Sequence, residues 1–441
     1  MPRHAAYLAL RTPNAKPLLA VDHVARERNL DERDTALVRR LVGMEIRRRA
    51  TLRAIVAAFT HHKPKTELAT FLRLGIAQIL YFDKVPPHAA VSETVRASAD
   101  FLGLSKGRIV NGVLRTVLRS VLPGSSGDPT RDIVSANVHF DGPVFRDPEL
   151  HPHLWAEDAL SIPGALHKRW VQRYGEDEAR ALAMLALEES PVSMRVRGDR
   201  EAVQTELRDL DVESFHGAHP AILVAASEHV GAVVRSAPFV EGRITVQGEH
   251  AARAAGMVGD VKGKTVLDMC AAPGGKSAAI ADGAPSVLVS IDLSARRLSR
   301  AYSTFDRLRL GAPMLAAMDG TSGLSETIRF DAVFIDAPCS NTGVLAQRPA
   351  ARWRYGPKTQ KELGALQLEL LRAGASKVAG GGVLVHSTCS LEPEENEQVV
   401  KAFLGQAPGW SLEEEIRTLP RPLEGGGPVD GGYAARLRAP R

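Results

Sequence analysis

The chain has 441 residues, 44% of them hydrophobic and 24% charged, with a formal net charge of +5. That is enough for two or three globular domains, and no apolar run approaches the roughly 18 residues of a membrane span. Three scattered cysteines without a CxxC pair argue against a disulfide framework or a zinc site, so no metal is expected and the cytoplasm is the expected compartment.

The charge is unevenly placed. Residues 1–125 carry +11 and the remainder −6, which pairs a basic module with a mildly acidic one and points to a polyanion such as RNA as partner of the first. Leu37, Leu41 and Met44, then Leu52, Ile55 and Phe59, recur at helical spacing. Arg39, Arg40, Arg47 and Arg48 stand between them as the candidate phosphate-binding face. Pro86 and Pro87 break a further helical stretch, and Ser105 is a candidate cap for the next. Residues 1–125 are therefore read as an all-α domain, and 126–160, opening with "PGSSGDP", as a linker.

Residues 161–250 read as a small α+β connecting region. "ALHKRWVQRYGEDEARALAMLALEES" has helical character, and "VSMRVRG", "AILVA", "GAVVRS" and "GRITVQG" read as short strands among turns. From residue 251 the pattern changes. The runs "KTVLDM", "SVLVSID", "FDAVFID" and "GGVLVHSTC" alternate with helical stretches. That alternation implies an α/β, Rossmann-like, doubly wound and mostly parallel sheet over 251–441. Ligands of such sheets lie outside the carboxyl ends of the strands, where Asp268, Asp292, Asp336 and Cys389 fall.

"VLDMCAAPGGKS" (266–277) is a strand, a Gly-rich turn and a helix start. It is one residue short of a phosphate loop, because Cys270 stands where GxxxxGK[ST] needs its first glycine. "AVFID" imitates the acidic strand end that holds magnesium in such proteins, so a P-loop-like nucleotidase is one reading. S-adenosylmethionine is the other. Gly274 and Gly275 allow close backbone approach to its methionine tail. Asp268 suits the ammonium group, Asp292 the ribose hydroxyls and Asp319 of "MDG" the adenine amine. A third reading is a non-catalytic RNA-binding assembly factor working through its basic domain.

"VLDMCAAPGGKS", "SIDLS", "MDG", "FIDAPCSNTGV", "RPAARW" and "STCSLEPEENE" together resemble the RNA cytosine-5 methyltransferases of the NOL1/NOP2/Sun type. "NLDERDTALVRRLVGMEIRRR" and "GRIVNGVLRTVL" resemble the NusB-like RNA-binding domain that precedes the catalytic domain in the bacterial 16S rRNA enzyme of this type. The resemblance implies S-adenosyl-L-methionine as cofactor, held by Asp268, Cys270, Ala271, Ala272, Pro273, Gly274, Gly275, Lys276, Asp292, Asp319 and Asp336. It implies Cys389 as nucleophile and Cys339 as the group assisting release. It also implies a cytosine in RNA as substrate, 16S rRNA before tRNA. Apart from the resemblance, the chain is expected to act as a monomer, without membrane or metal. Cysteine is apt because carbon 5 of cytosine is a poor nucleophile until a thiolate adds to carbon 6. An acid facing N3 would stabilise the adduct, and Asp336 is suited to that role on the condition that partial burial raises its pKa. Arg348, Arg352 and Trp353 of "AQRPAARWRY" are candidate contacts to a phosphate and a stacked base.

Four positions depart from the resemblance. Gly248 stands where an acid is usual, His386 where Tyr is frequent, Ala350 at a position often acidic, and Gly432 where Phe is usual.

Overall fold

Apolar residues at helical spacing near the amino terminus fold as helices at Pro2–Arg11, Pro17–Glu27, Glu32–Arg47, Arg49–Ala58, Thr66–Tyr81, Pro87–Leu102 and Leu104–Ser120. The computed structural model describes residues 2–12, 17–311, 313–423 and 427–441, and it divides into two compact units, Met1–Leu187 and Glu188–Arg441. In the first, Leu41, Ile55, Phe71 and Leu72 are fully buried, and the Phe71 ring stacks on Tyr7 at 4.6 Å. Glu45 is wholly enclosed but receives Arg49 at 2.8 Å and Arg73 at 2.7 Å. Burial alone would push its carboxyl up; the two guanidiniums reverse that and hold it below the ordinary value. The last of these helices starts at Leu104, after Gly103 at φ +91°. The expected cap Ser105 thus sits inside the first turn, since a glycine in the left-handed region ends one helix and opens the next without a linker.

Residues 126–160, read as a linker, fold with the first unit. Val121–Pro123, Asp132–Ile133 and Val138–Phe140 form a three-stranded antiparallel sheet, and Pro152–Leu160 is a helix. The turn-forming residues of "PGSSGDP" close around one carboxylate: Asp132 accepts from the Ser126 and Gly127 amides at 2.7 and 3.2 Å. Trp155 locks the helix to this turn by donating to the Pro129 carbonyl at 2.9 Å. The long helical stretch that follows breaks at Gly175, φ +87°, into Gly164–Tyr174 and Glu176–Leu185.

The second unit opens with a four-stranded antiparallel sheet in the order Ser214–His216, Ile222–Ala225, Val192–Val196, Ile244–Val246. "GAVVRS", read as a strand, is the helix Val230–Arg235. Its valines do not alternate in burial: Val233 is enclosed while Val230 and Val234 are exposed. A short apolar run does not by its pattern separate the two structures.

Seven strands then build the large sheet: β1 Thr265–Asp268, β2 Val287–Asp292, β3 Met314–Ala317, β4 Phe330–Asp336, β5 Val378–Thr388, β6 Ser411–Thr418 and β7 Gly432–Arg438. Their order is 3-2-1-4-5-7-6. The first five are mutually parallel, and β7 runs antiparallel to both β5 and β6. Alternate residues feed opposite faces, as the two-residue period of a strand requires. Val333, Ile335 and Leu384 join one core with Leu370, Leu371 and Phe403 of the helices Pro357–Ala375 and Glu397–Leu404. Ala332, Phe334 and Val385 join the other, with Ala254, Ala278, Ala301 and Phe305. Chain order reverses between β1 and β4, so their carboxyl ends frame the crevice where doubly wound sheets hold ligands. Among the described residues no helix is long and apolar enough to cross a membrane.

Candidate active site

The turn leaving β1 depends on its glycines. Gly274 lies at φ +103°, and a Cβ there would meet the Ala301 Cβ at 2.6 Å, so the turn closes only on a residue without a side chain. The Gly274 amide donates to the Ala271 carbonyl at 2.6 Å, and the Ala271 amide to Ile291 of β2 at 2.9 Å. Gln247 and Arg297, neither singled out in the sequence, hold the turn from outside through the Gly275 and Ala272 carbonyls at 3.1 and 2.9 Å. Cys270 and Lys276 are half-buried, Ala271 and Ala272 buried, Pro273 exposed.

Three acids flank this turn in different states. Asp268, fully buried, accepts from Ser277 Oγ at 2.6 Å through Oδ2, while Oδ1 has no partner. Burial pushes its carboxyl up to about 7, against the Ser277 bond and a weaker pull from the Cys270 amide, which does not reach hydrogen-bond geometry. Asp292 ends β2 and accepts from the Ala272 and Ser294 amides at 3.1 and 2.9 Å. Asp319 is exposed just beyond β3 and accepts from the Thr321 amide and hydroxyl at 2.9 and 2.7 Å.

The cysteine loops meet beside the turn. β4 and β5 are adjacent and parallel, with Asp336 opposite Ser387, so Cys339 and Cys389 emerge from neighbouring strand ends and their sulfurs lie 3.2 Å apart. Lys276 donates to Asp336 Oδ2 at 2.7 Å; despite burial, the Asp336 carboxylate raises the lysine above its ordinary range. Asn341, at φ +63°, was not predicted. Its amide oxygen accepts from Arg348 at 2.6 Å and from the Cys389 thiol at 3.3 Å, while its nitrogen donates to the Cys339 carbonyl at 2.6 Å. Glu395 was also missed, although it stands inside "EPEENE". It accepts from the Ser340 amide at 2.7 Å and the Ser390 hydroxyl at 3.1 Å, so one carboxylate spans the residues after both cysteines. Burial raises its pKa.

The two thiols are not equivalent. The Cys339 thiol as donor lowers Cys389 below the ordinary cysteine range, and Arg348 and Lys276 act in the same sense against burial and Asp336. The same hydrogen bond, with burial, raises Cys339 well above it. Cys270 is raised by burial and by the nearby carboxylates. A lowered thiol among cations is the more reactive of the two.

Two of the expected RNA-facing arginines are interior. Arg352 is fully buried, donating to the Pro349 and Leu345 carbonyls at 3.1 and 3.4 Å, so it shapes the loop instead of reaching a phosphate. Trp353 beside it is half-buried and Arg348 is exposed. Arg48, 4% exposed, lies over the Tyr81 ring and donates to the Val134 carbonyl at 3.0 Å. The apolar stem and flat head of arginine suit such enclosed sites, and sequence alone does not separate this use from phosphate binding. Arg39 is exposed and paired with Asp22; Arg40 is exposed over the Phe82 ring; Arg47 is half-buried and approaches the Ala186 carbonyl at 3.5 Å.

The sheet order, with a Gly-rich turn after β1, defines a Rossmann-like methyltransferase. Residues 257–423 match the family described as 16S rRNA methyltransferase RsmB/F, and residues 11–119 match the NusB family. The chain is 31% identical over 379 residues to ribosomal RNA small subunit methyltransferase B of Cronobacter sakazakii (strain ATCC BAA-894), covering 83% of this chain and 81% of that protein. It is 28% identical over 436 residues to the probable ribosomal RNA small subunit methyltransferase B of Bacillus subtilis (strain 168), covering 95% and 91%. Among solved structures it resembles that of PH0851, with a TM-score of 0.76 at 21% identity over 99% of this chain and 98% of the other. It also resembles a methyltransferase homologue from Pyrococcus horikoshii, at 0.56 and 23% over 67% and 100%. The chain belongs to the RsmB/F family of RNA methyltransferases and carries that family's catalytic domain behind a NusB domain, which displaces the nucleotidase reading.

The asymmetry of the thiols has a direct readout. Iodoacetamide at pH 7.5 is expected to alkylate Cys389 first, with Cys339 and Cys270 slower by at least about tenfold. Peptide mass spectrometry over a time course checks it; Cys339 or Cys270 reacting ahead of Cys389 would contradict the assignment of the lowered thiol.

Proposed function

We propose that this protein transfers a methyl group from S-adenosyl-L-methionine to carbon 5 of a cytosine in RNA, through a transient bond between Cys389 and carbon 6. The observation that carries the proposal is the 3.2 Å approach of Cys339 and Cys389 at neighbouring strand ends, beside Lys276, Asp336 and the Gly-rich turn. Small-subunit ribosomal RNA is the substrate we favour, because the matching family and the curated relatives above are described by it; a transfer RNA is the alternative within the same chemistry.

The cofactor's fit is supported by one orphaned atom. Oδ1 of Asp268 is buried without a partner at the start of the Gly-rich turn, and a buried lone acceptor is costly unless a donor arrives. The ammonium group of S-adenosylmethionine is such a donor, and the bound cofactor supplies an electrophilic methyl group. Asp292 and Asp319 are proposed for the ribose and the adenine side.

The chain's own groups then divide the work. The Cys389 thiolate adds to carbon 6, and the electron pair displaced from the 5,6 double bond makes carbon 5 nucleophilic. Asp336 faces the ring nitrogen N3 and, bridged to Lys276 at 2.7 Å, draws on a shared proton to offset the charge gathering there. While Cys389 is ionised, Cys339 holds its proton by donating to it. Once Cys389 is bonded to carbon, that demand ends; Cys339 then releases its own proton to water, and its thiolate is the base that removes the proton from carbon 5. The pair of electrons left behind restores the double bond and expels Cys389. Exposed arginines of the basic helical domain, Arg39 and Arg40 among them, would add phosphate contacts and salt-dependent affinity.

Two outcomes are expected. Cys389→Ala should lower methyl transfer to RNA by at least about a thousandfold, and Cys339→Ala should instead accumulate a covalent protein–RNA species seen as a gel shift under denaturing conditions. Undiminished transfer by the first variant would end the nucleophile assignment, and no adduct with the second would end the release role.

Cofactor affinity should also depend on pH through Asp268. A carboxyl raised to about 7 is protonated below that pH and cannot pair with an ammonium group, so affinity weakens as pH falls. Calorimetry should find binding about eightfold tighter at pH 7.5 than at pH 6, with proton release on binding. Asp268→Asn should bind more weakly and without that dependence; a wild-type affinity flat across this range would contradict the role.

A further inference from the structure

Two of the positions that depart from the family resemblance, Gly248 and Gly432, lie in one buried cluster behind the nucleophile. A Cβ on Gly432 would stand 2.4 Å from Cδ2 and Nε2 of His250 and 2.5 Å from the Thr388 carbonyl oxygen, and a Cβ on Gly248 would stand 2.2 Å from Asp430 Oδ2. Real side chains do not tolerate such approaches, so both positions are clearances filled by other groups: the His250 ring and the Asp430 carboxylate.

His250 is 2% exposed, and its Nε2 lies 3.0 Å from the Thr388 carbonyl. A carbonyl only accepts, so the proton sits on Nε2 and the ring donates. Nδ1 is then the bare nitrogen, buried and without a partner. Burial favours the neutral ring, in keeping with that single tautomer. Asp430 Oδ1 receives the His250 backbone amide at 3.3 Å and so anchors the residue.

The acceptor is what gives this contact a role. Thr388 is the last residue of β5 in register with β7, and Cys389 follows it. The Thr388 hydroxyl donates to Asn396 at 2.5 Å and accepts from the Ser390 amide at 3.2 Å. The carbonyl joining Thr388 to Cys389 is held by the imidazole. The peptide group is planar and each residue turns only about φ and ψ, so fixing this carbonyl narrows the directions in which the Cys389 side chain can leave the strand.

We propose that His250 is a positioning residue for Cys389, aiming the nucleophile through the Thr388 carbonyl, with Gly432 and Gly248 as the clearances that admit the ring and its anchor. This rests on the reading of Cys389 as nucleophile given above. It also links two separate departures from the family pattern into one arrangement, because a large side chain at 432 and a histidine at 250 exclude each other.

The test uses the full-length protein, labelled S-adenosylmethionine and a 16S rRNA fragment, with the Cys389 alkylation rate measured alongside. His250→Ala is expected to lower kcat about tenfold while leaving KM for the cofactor within about twofold, since misplacing a reacting atom costs rate more than binding. His250→Gln, whose amide nitrogen can reach the same carbonyl, is expected to keep kcat within about threefold. Gly432→Ala, whose Cβ would crowd both the ring and the Thr388 carbonyl, should impair turnover as well. An alanine variant with wild-type kcat, or alanine and glutamine variants that behave alike, would each overturn the proposal. If His250→Ala does not fold, His250→Leu, which fills the space without a hydrogen-bond donor, takes its place. A Cys389 alkylation rate that changes with His250→Ala and is restored with His250→Gln supports the positioning role even if Cys389→Ala proves active; that last result would sink the catalytic reading alone.

Discussion

β4 and β5 run parallel with Asp336 opposite Ser387, and this pairing brings Asp336, Cys339 and Cys389 together at the carboxyl ends of two neighbouring strands. The side-chain period of a strand is two residues, so a slip of one would turn each strand's inward residues outward. Phe334 and Val385 face one core and Ile335 and Leu384 the other, which makes such a slip expensive on both sides at once. Hydrophobic packing thereby fixes where the two polar loops begin, and hence how close their sulfurs come.

Proximity alone would leave two similar thiols. The surroundings separate them, because one proton shared between adjacent sulfurs favours ionising the member nearer the cations. Arg348 and Lys276 act on Cys389, and Lys276 also serves Asp336 at 2.7 Å, so the same ammonium group couples that thiol to the acid beside it. Glu395 and Asn341 tie the two loops together through their hydrogen bonds. The half-buried setting strengthens every one of these interactions relative to water.

Much of this was legible from residues in order. The alternation of "KTVLDM", "SVLVSID", "FDAVFID" and "GGVLVHSTC" with helical stretches foretells the parallel sheet, and strand ends foretell where Asp268, Asp292, Asp336 and Cys389 lie. Other features needed the third dimension. The folded state of 126–160 rests on Asp132 gathering amides from a turn that reads as a linker, and the helix at Val230–Arg235 rests on one buried valine in a run of three. Arg48 and Arg352 look like phosphate contacts because arginine has the same composition signature inside and outside; their carbonyl partners, distant or local, are set by the fold. Asn341 and Glu395 carry no periodic or charge signal of their own, and their importance appears only when the two cysteine loops are side by side. The Gly248 and Gly432 departures read as losses in sequence, whereas in the structure they are spaces already filled.

The central claim is that the Cys389 sulfur bonds to a cytosine ring during turnover. The most direct measurement uses an RNA fragment with 5-fluorocytidine at the target position, incubated with cofactor, digested with protease and read by mass spectrometry. Fluorine on carbon 5 blocks the final proton removal, so the bonded intermediate should be trapped. The expected result is a methylated fluorocytidine adduct on the peptide containing Cys389. An adduct on the Cys339 peptide instead, or full cofactor turnover with no adduct, would contradict the account.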